Sequence, residues 1–259
     1  MDGLLLDTED IYTKCNNVIL QEYGRPNLPW SIKAQLQGRP ASESAAIFHA
    51  WASLPMPRAL FNEKQRALQT RYFPTARPLP GVPLLLKTLK HSSSNVHLAL
   101  ATSSHTTNYA LKTRHQGHLF NAFDPAHRIL GDDPRIPTGR GKPCPDIYLL
   151  ALETINAALR AKGEEEVLPE ECLVFEDSVP GVEAGRRAGM RVVWCPHPEL
   201  LKEYKGREAE VLAGVANARK DDDGEGEEDA GRMGVIGDGW ATRVTTLEAF
   251  DYGRYGIQA

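Results

Sequence analysis

Six polar residues carry hydroxyl, ammonium or carboxylate groups at or near the ends of apolar segments. They are Asp2, Thr102, Ser103, Lys142, Glu176 and Asp177. In a parallel α/β sheet, ligands bind beyond the carboxyl ends of the strands, and the strands predicted below place most of these residues there. Carboxylates hold cations or transfer protons, and an ammonium group with hydroxyls holds an anion. The set therefore predicts one site for a metal ion and an anionic ligand.

The adjacent acids Glu176 and Asp177 directly follow the apolar run Cys-Leu-Val-Phe. Two carboxylates at the end of a buried strand are costly unless a positive charge compensates them. Mg²⁺ prefers oxygen ligands and usually keeps several waters. We therefore predict Asp177 as the first metal ligand, with Glu176 binding directly or through water. The alternative is an acid pair that only stabilises the start of the next helix.

Lys142 lies in the segment Gly-Arg-Gly-Lys-Pro-Cys-Pro-Asp, whose two prolines stiffen the loop before the next helix. An ammonium group there is a point charge for a phosphate and for nearby carboxylates. Thr102 and Ser103 end an apolar run, so their hydroxyls and neighbouring N–H groups suit a phosphoryl oxygen. The alternatives are a solvated surface lysine and an ordinary hydroxyl at a helix start.

The hydrophobic periodicity divides the chain into two parts. Four helices without any strand signal are predicted between residues 10 and 76, separated by proline-rich breaks. Helices and strands alternate after that point. The predicted strands are 96–101, 127–130, 172–175 and 191–194, and the predicted helices between and around them are 81–91, 105–115, 146–160 and 179–188. Such alternation favours right-handed crossovers and a parallel sheet.

These patterns predict an α/β protein with a Rossmann-like parallel sheet and an inserted helical cap. The core is expected to comprise residues 1–9 and 77–259, and the cap residues 10–76. Residues 218–232 are rich in glycine and acidic residues, which favours a disordered loop within the C-terminal part of the core. An ordered tail after this loop is expected to supply a final edge strand.

Composition excludes several classes of protein. Residues 219–232 carry seven acids and three bases, which account for the whole formal charge of −4, so the remainder is neutral and gives no support for nucleic-acid binding. We expect no signal peptide and no membrane span, because no apolar stretch is long enough. The four cysteines follow no metal-ligand spacing, which favours reduced thiols and a cytoplasmic location.

The segment Met-Asp-Gly-Leu-Leu-Leu-Asp-Thr-Glu at residues 1–9 resembles the first catalytic motif of the haloacid-dehalogenase-like (HAD-like) phosphatases. The resemblance implies that Asp2 is the general acid and base and a third ligand of Mg²⁺. It also implies that the nucleophilic aspartate stands two places before Asp2, just upstream of Met1. The first strand of the sheet would then be missing or truncated in this sequence.

Two further segments, Gly-Lys-Pro-Cys-Pro-Asp-Ile and Leu-Val-Phe-Glu-Asp-Ser-Val-Pro-Gly, are similar to those of the pseudouridine-5′-phosphatases and their fungal-type relatives. This resemblance implies Mg²⁺-dependent hydrolysis of a small phosphate monoester, of nucleotide- or sugar-phosphate type, through an aspartyl-phosphate. The cap would select the substrate, with Arg39 as a candidate contact. The partner is then a small phosphorylated metabolite, and the protein is expected to be a monomer or a weak dimer.

Two other functions fit the same scaffold. A phosphomutase would transfer the phosphoryl group within a sugar phosphate instead of releasing it. A non-catalytic member of the family would bind phosphate ligands without turnover.

Overall fold

The computed structural model describes residues 1–92, 95–217 and 233–258. The acidic loop predicted at residues 218–232 lies outside the described residues. Among those described, no helix combines the length and the apolar character that crossing a bilayer requires.

The first part of the chain forms four helices. Their bounds are α1 Thr8–Glu22, α2 Trp30–Leu36, α3 Ala41–Ala52 and α4 Arg58–Tyr72. A proline stands immediately before each of α2, α3 and α4, where its fixed φ favours the start of a helix and its missing N–H costs no hydrogen bond. The four helices share an apolar cluster that includes Ile19, Leu20, Phe48 and Phe61. The four predicted helices are therefore present, and they begin and end within a few residues of the predicted region 10–76.

The second part alternates helices with short strands. In chain order they are α5 Val82–His91, β1 Leu100–Ala101, α6 Thr106–Thr113, α7 Gly117–Phe120, β2 Arg128–Ile129, α8 Asp146–Lys162, β3 Leu173–Glu176, α9 Val179–Arg187, β4 Arg191–Trp194, α10 Pro198–Glu203, α11 Glu208–Ala213 and β5 Ala241–Arg243. The short helices α10 and α11 were not among the predicted elements. The edge strand expected in the ordered tail is present as β5, at residues 241–243.

All strand pairs are parallel, but they form two sheets rather than one. β1 pairs with β2, with Leu100 opposite Arg128. β4 lies between β3 and β5, with Val193 opposite Phe175 and Thr242. No ladder joins β1 to β3 within the described ranges. The mixed α/β architecture with a parallel sheet is thus confirmed, with the sheet in two pieces.

Residues 1–6 form a compact turn instead of a strand. The Leu5 N–H donates to the Met1 carbonyl at 2.8 Å, and the Gly3 N–H donates to the Leu6 carbonyl at 2.9 Å. The apolar side chains of this turn are buried in a cluster that also contains Leu100 of β1 and Val193 of β4. The turn therefore shares one core with both sheets and brings Asp2 to their carboxyl ends.

The strand predicted at 96–101 is paired only at Leu100 and Ala101. Its earlier residues are half-buried and take no part in a ladder. An apolar run predicts burial, whereas a strand also needs a neighbour for its backbone N–H and C=O groups. The pairing partner is therefore what set the length of β1.

Candidate active site

A cavity of about 830 Å³ lies between the α1–α4 helices and the carboxyl ends of β1 and β3. Every residue that the sequence singled out lines it: Asp2, Arg39, Thr102, Ser103, Lys142, Glu176 and Asp177. Cavities of roughly 300–1,000 Å³ are typical of small-ligand sites. The structure thus brings the predicted site residues together at the edge of the sheets where a ligand is expected.

Glu176 is the last residue of β3, and its carboxylate is fully engaged. Lys142 Nζ donates to Oε1 at 2.5 Å and the Tyr148 hydroxyl donates to the same oxygen at 2.8 Å. The backbone N–H groups of Asp177 and Ser178 donate to Oε2, each at 2.9 Å. Burial alone would raise the pKa of Glu176, but the charges of Lys142 and of the N-terminal ammonium, together with hydrogen bonds from Lys142 and the Ser178 N–H, lower it to about 2. Glu176 is therefore an ionised anchor for Lys142.

A glycine at position 181 makes this arrangement possible. A Cβ atom there would lie 2.0 Å from the carboxylate carbon of Glu176. Only a residue without a side chain lets the first turn of α9 approach so closely, which brings the positive end of that helix to the carboxylate.

Asp177 is also buried, yet its surroundings are different. Its carboxylate accepts a hydrogen bond from the Gln37 side chain, whose Nε2 donates to Oδ2 at 2.5 Å. No lysine, arginine or histidine forms an ion pair with it among the described residues. Burial, reinforced by the charge of Glu176, raises the pKa of Asp177 well above its ordinary value. A buried carboxylate without a cationic partner is the kind of group that a bound cation stabilises.

The residues present fit a magnesium ion with Asp177 as the protein ligand. The three predicted ligands, Asp2, Glu176 and Asp177, offer only oxygen atoms, as Mg²⁺ prefers. The oxygens of Glu176 are already used by Lys142, Tyr148 and the backbone. No group of three or more His, Cys, Asp or Glu side chains is placed to hold a metal ion in the part of the chain that the structure describes. Water and substrate oxygens would therefore complete the coordination shell.

Asp2 lies on the other side of the cavity floor and has its own lysine. Lys112 Nζ, from α6, is 2.6 Å from Oδ1. Two hydroxyls also donate to this carboxylate, from Thr8 to Oδ1 at 2.5 Å and from Ser104 to Oδ2 at 2.6 Å. Burial would raise the pKa of Asp2, but the charges of Lys112 and of the N-terminal ammonium, together with hydrogen bonds from Lys112 and Ser104, lower it to about 2. The carboxylate is therefore ionised in this structure and held at both oxygens.

Thr102 and Ser103 lie where they were predicted, at the end of β1. The Thr102 side-chain oxygen accepts from the Ser104 N–H at 3.2 Å, and the Ser103 hydroxyl donates to the Gly38 carbonyl at 3.3 Å. Both remain candidates for a phosphoryl oxygen. The residue of this turn that bonds to Asp2 is Ser104, which was not predicted from the sequence.

Arg39 lies at the cavity wall but is tied to its own helices. Its Nε donates to the Gln35 carbonyl at 2.9 Å, and its NH1 is 3.4 Å from Glu43 Oε2. The neighbouring Gln37 reaches further, since it contacts Asp177. The direct contact between this helical segment and the predicted metal ligand is therefore made by Gln37.

The far side of the cavity is rich in uncharged amides. Gln65 Nε2 donates to Asn16 Oδ1 at 2.9 Å, which links α4 to α1. Asn108 Nδ2 lies 3.4 Å from Gln69 Oε1, which links α6 to α4. Amide groups both donate and accept hydrogen bonds, so they suit hydroxyl groups and heterocycle edges. This wall, which we call the amide wall, consists of Asn16, Asn62, Gln65, Gln69 and Asn108.

A family model decides what kind of protein this is, because residues 1–189 match the haloacid dehalogenase-like hydrolases. The chain belongs to this family. The motif segments predicted a haloacid dehalogenase-like hydrolase, and the family match confirms this prediction.

Named relatives agree. A Saccharomyces cerevisiae protein named probable pseudouridine-5′-phosphatase is 43% identical over 214 residues, which is 83% of this chain and 87% of that protein. The (DL)-glycerol-3-phosphatase 2 of Arabidopsis thaliana is 34% identical over 224 residues, which is 86% of this chain and 88% of that protein. A HAD hydrolase of family IA, variant 3, from Entamoeba histolytica shares the fold with a TM-score of 0.65 at 19% identity, covering 98% of this chain and 94% of that one. This haloacid dehalogenase-like hydrolase is therefore a phosphoric monoester hydrolase.

Several side chains of the site were missed from sequence, among them Gln37, Ser104 and Lys112. Ser104 was detectable, because it follows two selected hydroxyl residues. Lys112 sits inside a helix among residues of ordinary helical composition, and Gln37 ends a short helix. Neither carries a local signal, since their contacts depend on how separate elements pack.

Proposed function

We propose that this protein is a Mg²⁺-dependent phosphatase that hydrolyses a small phosphate monoester through an aspartyl-phosphate. The observation that carries the proposal is the convergence of Asp2, Lys142 and Asp177 on one cavity. These side chains supply proton transfer, a charge for phosphate and a ligand for a divalent cation.

The nucleophile in this proposal is the aspartate two places before Asp2 in the family motif, in the segment preceding Met1. The separation of β1 from β3 supports it, because a strand between them would join the two sheets into one. Such a strand would end beside Asp2 and Asp177, at the cavity floor.

Each residue then has a defined task. The nucleophilic carboxylate forms a bond to phosphorus while the ester oxygen leaves with a proton from Asp2. Asp2 next takes a proton from water, whose oxygen attacks the aspartyl-phosphate and releases inorganic phosphate. Lys142 holds a phosphoryl oxygen, aided by Thr102 and Ser103. Asp177 would hold Mg²⁺, which would supply charge stabilisation at the phosphoryl group.

The ionised state of Asp2 suits the second half of this reaction. For the first half the carboxyl must carry a proton, and the incoming phosphate ester brings negative charge next to it. Nearby negative charge raises the pKa of a carboxyl group. Substrate binding therefore favours the protonated form when it is needed.

The substrate we propose is a nucleotide- or sugar-phosphate. The relatives are named for pseudouridine-5′-phosphate and glycerol-3-phosphate, and the amide wall can bind a leaving group that carries hydroxyls or a heterocycle. Residues 10–76 act as the cap over this leaving group. We place the reaction in the cytoplasm, on the cysteine pattern described above.

The test is phosphate release by the chain extended upstream through its motif aspartate. We expect Mg²⁺-dependent release from pseudouridine 5′-phosphate or glycerol 3-phosphate, abolished by EDTA and by Asp177→Asn. Absence of phosphate from a broad ester panel, with a folded extended protein, overturns the proposal in favour of a non-catalytic phosphate binder. An isomerised sugar phosphate without free phosphate identifies a phosphomutase instead.

A further inference from the structure

Lys112 is a charged side chain with no access to solvent. It is 0% exposed and lies in the last turn of α6. An ammonium group buried in this way is strongly destabilising unless it is paired and hydrogen-bonded. Its position therefore requires an explanation in terms of what it holds.

The Lys112 ammonium has a full set of partners. It lies 2.6 Å from Asp2 Oδ1 and donates to the Tyr12 hydroxyl and to Ser104 Oγ, each at 2.8 Å. Three donors thus meet three acceptors, which is the whole capacity of the group. The rings of Tyr12 and Phe73 also lie against it, each with a centroid 4.6 Å from Nζ. Within the described chain no donor of Lys112 remains for a substrate.

These contacts join four separate parts of the fold at Asp2. Tyr12 belongs to α1, Lys112 to α6, Ser104 to the turn after β1, and Asp2 to the N-terminal turn. Ser104 bonds to both Lys112 and Asp2, so the three side chains form a closed hydrogen-bonded ring. A ring of this kind fixes the direction of both carboxylate oxygens, and proton transfer depends on such orientation.

We propose that Lys112 is a positioning residue for proton transfer by Asp2. It acts through the carboxylate and not on the phosphoryl group, which Lys142 holds. This assignment rests on the proposed function, because it assumes that Asp2 protonates the leaving oxygen.

The assignment predicts a dependence on the leaving group. An alkoxide leaving group, as in glycerol 3-phosphate, needs a proton, whereas p-nitrophenolate leaves without one. In the extended chain, Lys112→Met is expected to lower kcat/KM for glycerol 3-phosphate about 100-fold, the lower end of the usual effect of a general acid. The same change is expected to lower kcat/KM for p-nitrophenyl phosphate less than about fivefold. This parameter reports the steps up to the aspartyl-phosphate, so slow hydrolysis of that intermediate does not obscure the result.

Two milder variants keep the test decisive if Lys112→Met fails to fold. Ser104→Ala and Tyr12→Phe each remove one partner of the ammonium and leave its charge paired with Asp2. Both are expected to show the same leaving-group pattern with smaller losses. Lys90→Met is the matched control, because within the described ranges Lys90 Nζ hydrogen-bonds only to the Asn121 carbonyl, at 3.3 Å, on the exposed side of α5. Thermal unfolding of each variant verifies folding.

Equal losses on both esters, or no loss on either, overturn the positioning role and leave the phosphatase proposal intact. If the folded wild-type extended chain turns over neither ester, the proposed function fails and the positioning role fails with it. The two failures are therefore distinguishable by the wild-type rates alone.

Discussion

The two lysine–carboxylate pairs of the site have similar lengths but different surroundings. Lys142 and Glu176 are 2.5 Å apart, and Lys112 and Asp2 are 2.6 Å apart. The other donors to Glu176 are two backbone N–H groups and the hydroxyls of Tyr148 and Ser178. Both other donors to Asp2 are side-chain hydroxyls.

Because of this difference we call Lys142–Glu176 the fixed pair and Lys112–Asp2 the adjustable pair. A backbone N–H has one direction, whereas a hydroxyl rotates and can donate or accept. The carboxylate of Glu176 is therefore locked in the ionised state, where it positions Lys142. Asp2 can gain and lose a proton because the Thr8 hydroxyl can switch from donor to acceptor, while Lys112 and Ser104 keep the carboxylate in place. Asp177 forms an ion pair with neither Lys112 nor Lys142, so its charge is available to a bound cation.

The largest effect should follow from breaking the fixed pair. Lys142→Met leaves Glu176 buried and unpaired, which is expected to destabilise the fold by about 3–5 kcal/mol. Phosphate release by the extended chain should fall about 100- to 1,000-fold, as when a positioned donor of an oxyanion is removed. Urea unfolding measures the loss of stability, and phosphate-release assays measure the loss of activity.

Lys112→Met should destabilise the fold less than Lys142→Met does, because the side chain of Asp2 is 17% exposed and that of Glu176 only 5%. The reverse order of stabilities would contradict the distinction between the pairs.

Asp177→Asn sharpens the comparison at the carboxylate without a lysine. Mg²⁺ at about 100 times its dissociation constant should stabilise the wild-type protein by about 2.7 kcal/mol, and this gain should vanish in the variant. Without metal the variant should be at least as stable as the wild type, since a buried charge has been removed. Thermal unfolding with Mg²⁺ and with EDTA decides the matter. A variant that keeps the full Mg²⁺ shift would assign the ligand role to Asp2 or Glu176.

A change in the amide wall should affect substrate choice and leave both lysine pairs intact. Gln65→Ala removes one amide of the wall, and the loss of a hydrogen bond of about 1 kcal/mol from that amide to the leaving group corresponds to roughly fivefold in kcat/KM. We expect that loss for pseudouridine 5′-phosphate and none for p-nitrophenyl phosphate. Gln35→Ala, whose side chain bonds to the Ser31 carbonyl on an exposed face, is the control. Equal losses on both esters would show that the amide wall supports the chemistry and not recognition.

The smallest effect concerns a contact that uses neither lysine pair. His197, which precedes α10, stacks on Trp30 of α2 with ring centroids 4.5 Å apart. Burial lowers the pKa of His197, and the nearby charges of Asp10, Lys33 and Glu199 act in both directions. The unfolded chain then binds the proton more readily, so stability should decrease as the pH falls through about 6.5, the ordinary pKa of histidine. His197→Asn should reduce this slope in denaturant titrations, and an unchanged slope would exclude His197 as its source.

The sequence predicted the fixed pair better than the adjustable one for a physical reason. Glu176 and Asp177 directly follow an apolar strand and Lys142 lies in a proline-stiffened loop, so local order along the chain indicated their places. Lys112 resembles any lysine on an amphipathic helix, and its burial results from packing of α6 against the Phe73–Thr75 turn and from the Tyr12 side chain of α1. The contact of Gln37 with Asp177 likewise depends on the docking of helices far apart in sequence.

The same reasoning explains the fold. Prolines and apolar periodicity are local signals, and they predicted the helices α1–α4 well. Strand length depends on pairing partners, so the strand at 96–101 was overestimated. The roles of the site residues and the division into cap and core stay predictions, since geometry places groups without measuring what they do.

The stacking of Trp30 on His197 has a practical consequence. An indole in contact with an imidazole changes its emission when the two rings separate or when the imidazole is protonated. Trp30 lies on a helix of the proposed cap and His197 in the core, so the pair is a native fluorescent reporter of their separation. Movement of the proposed cap against the core is therefore expected to change the emission of Trp30, which can be followed without attaching a dye to the protein.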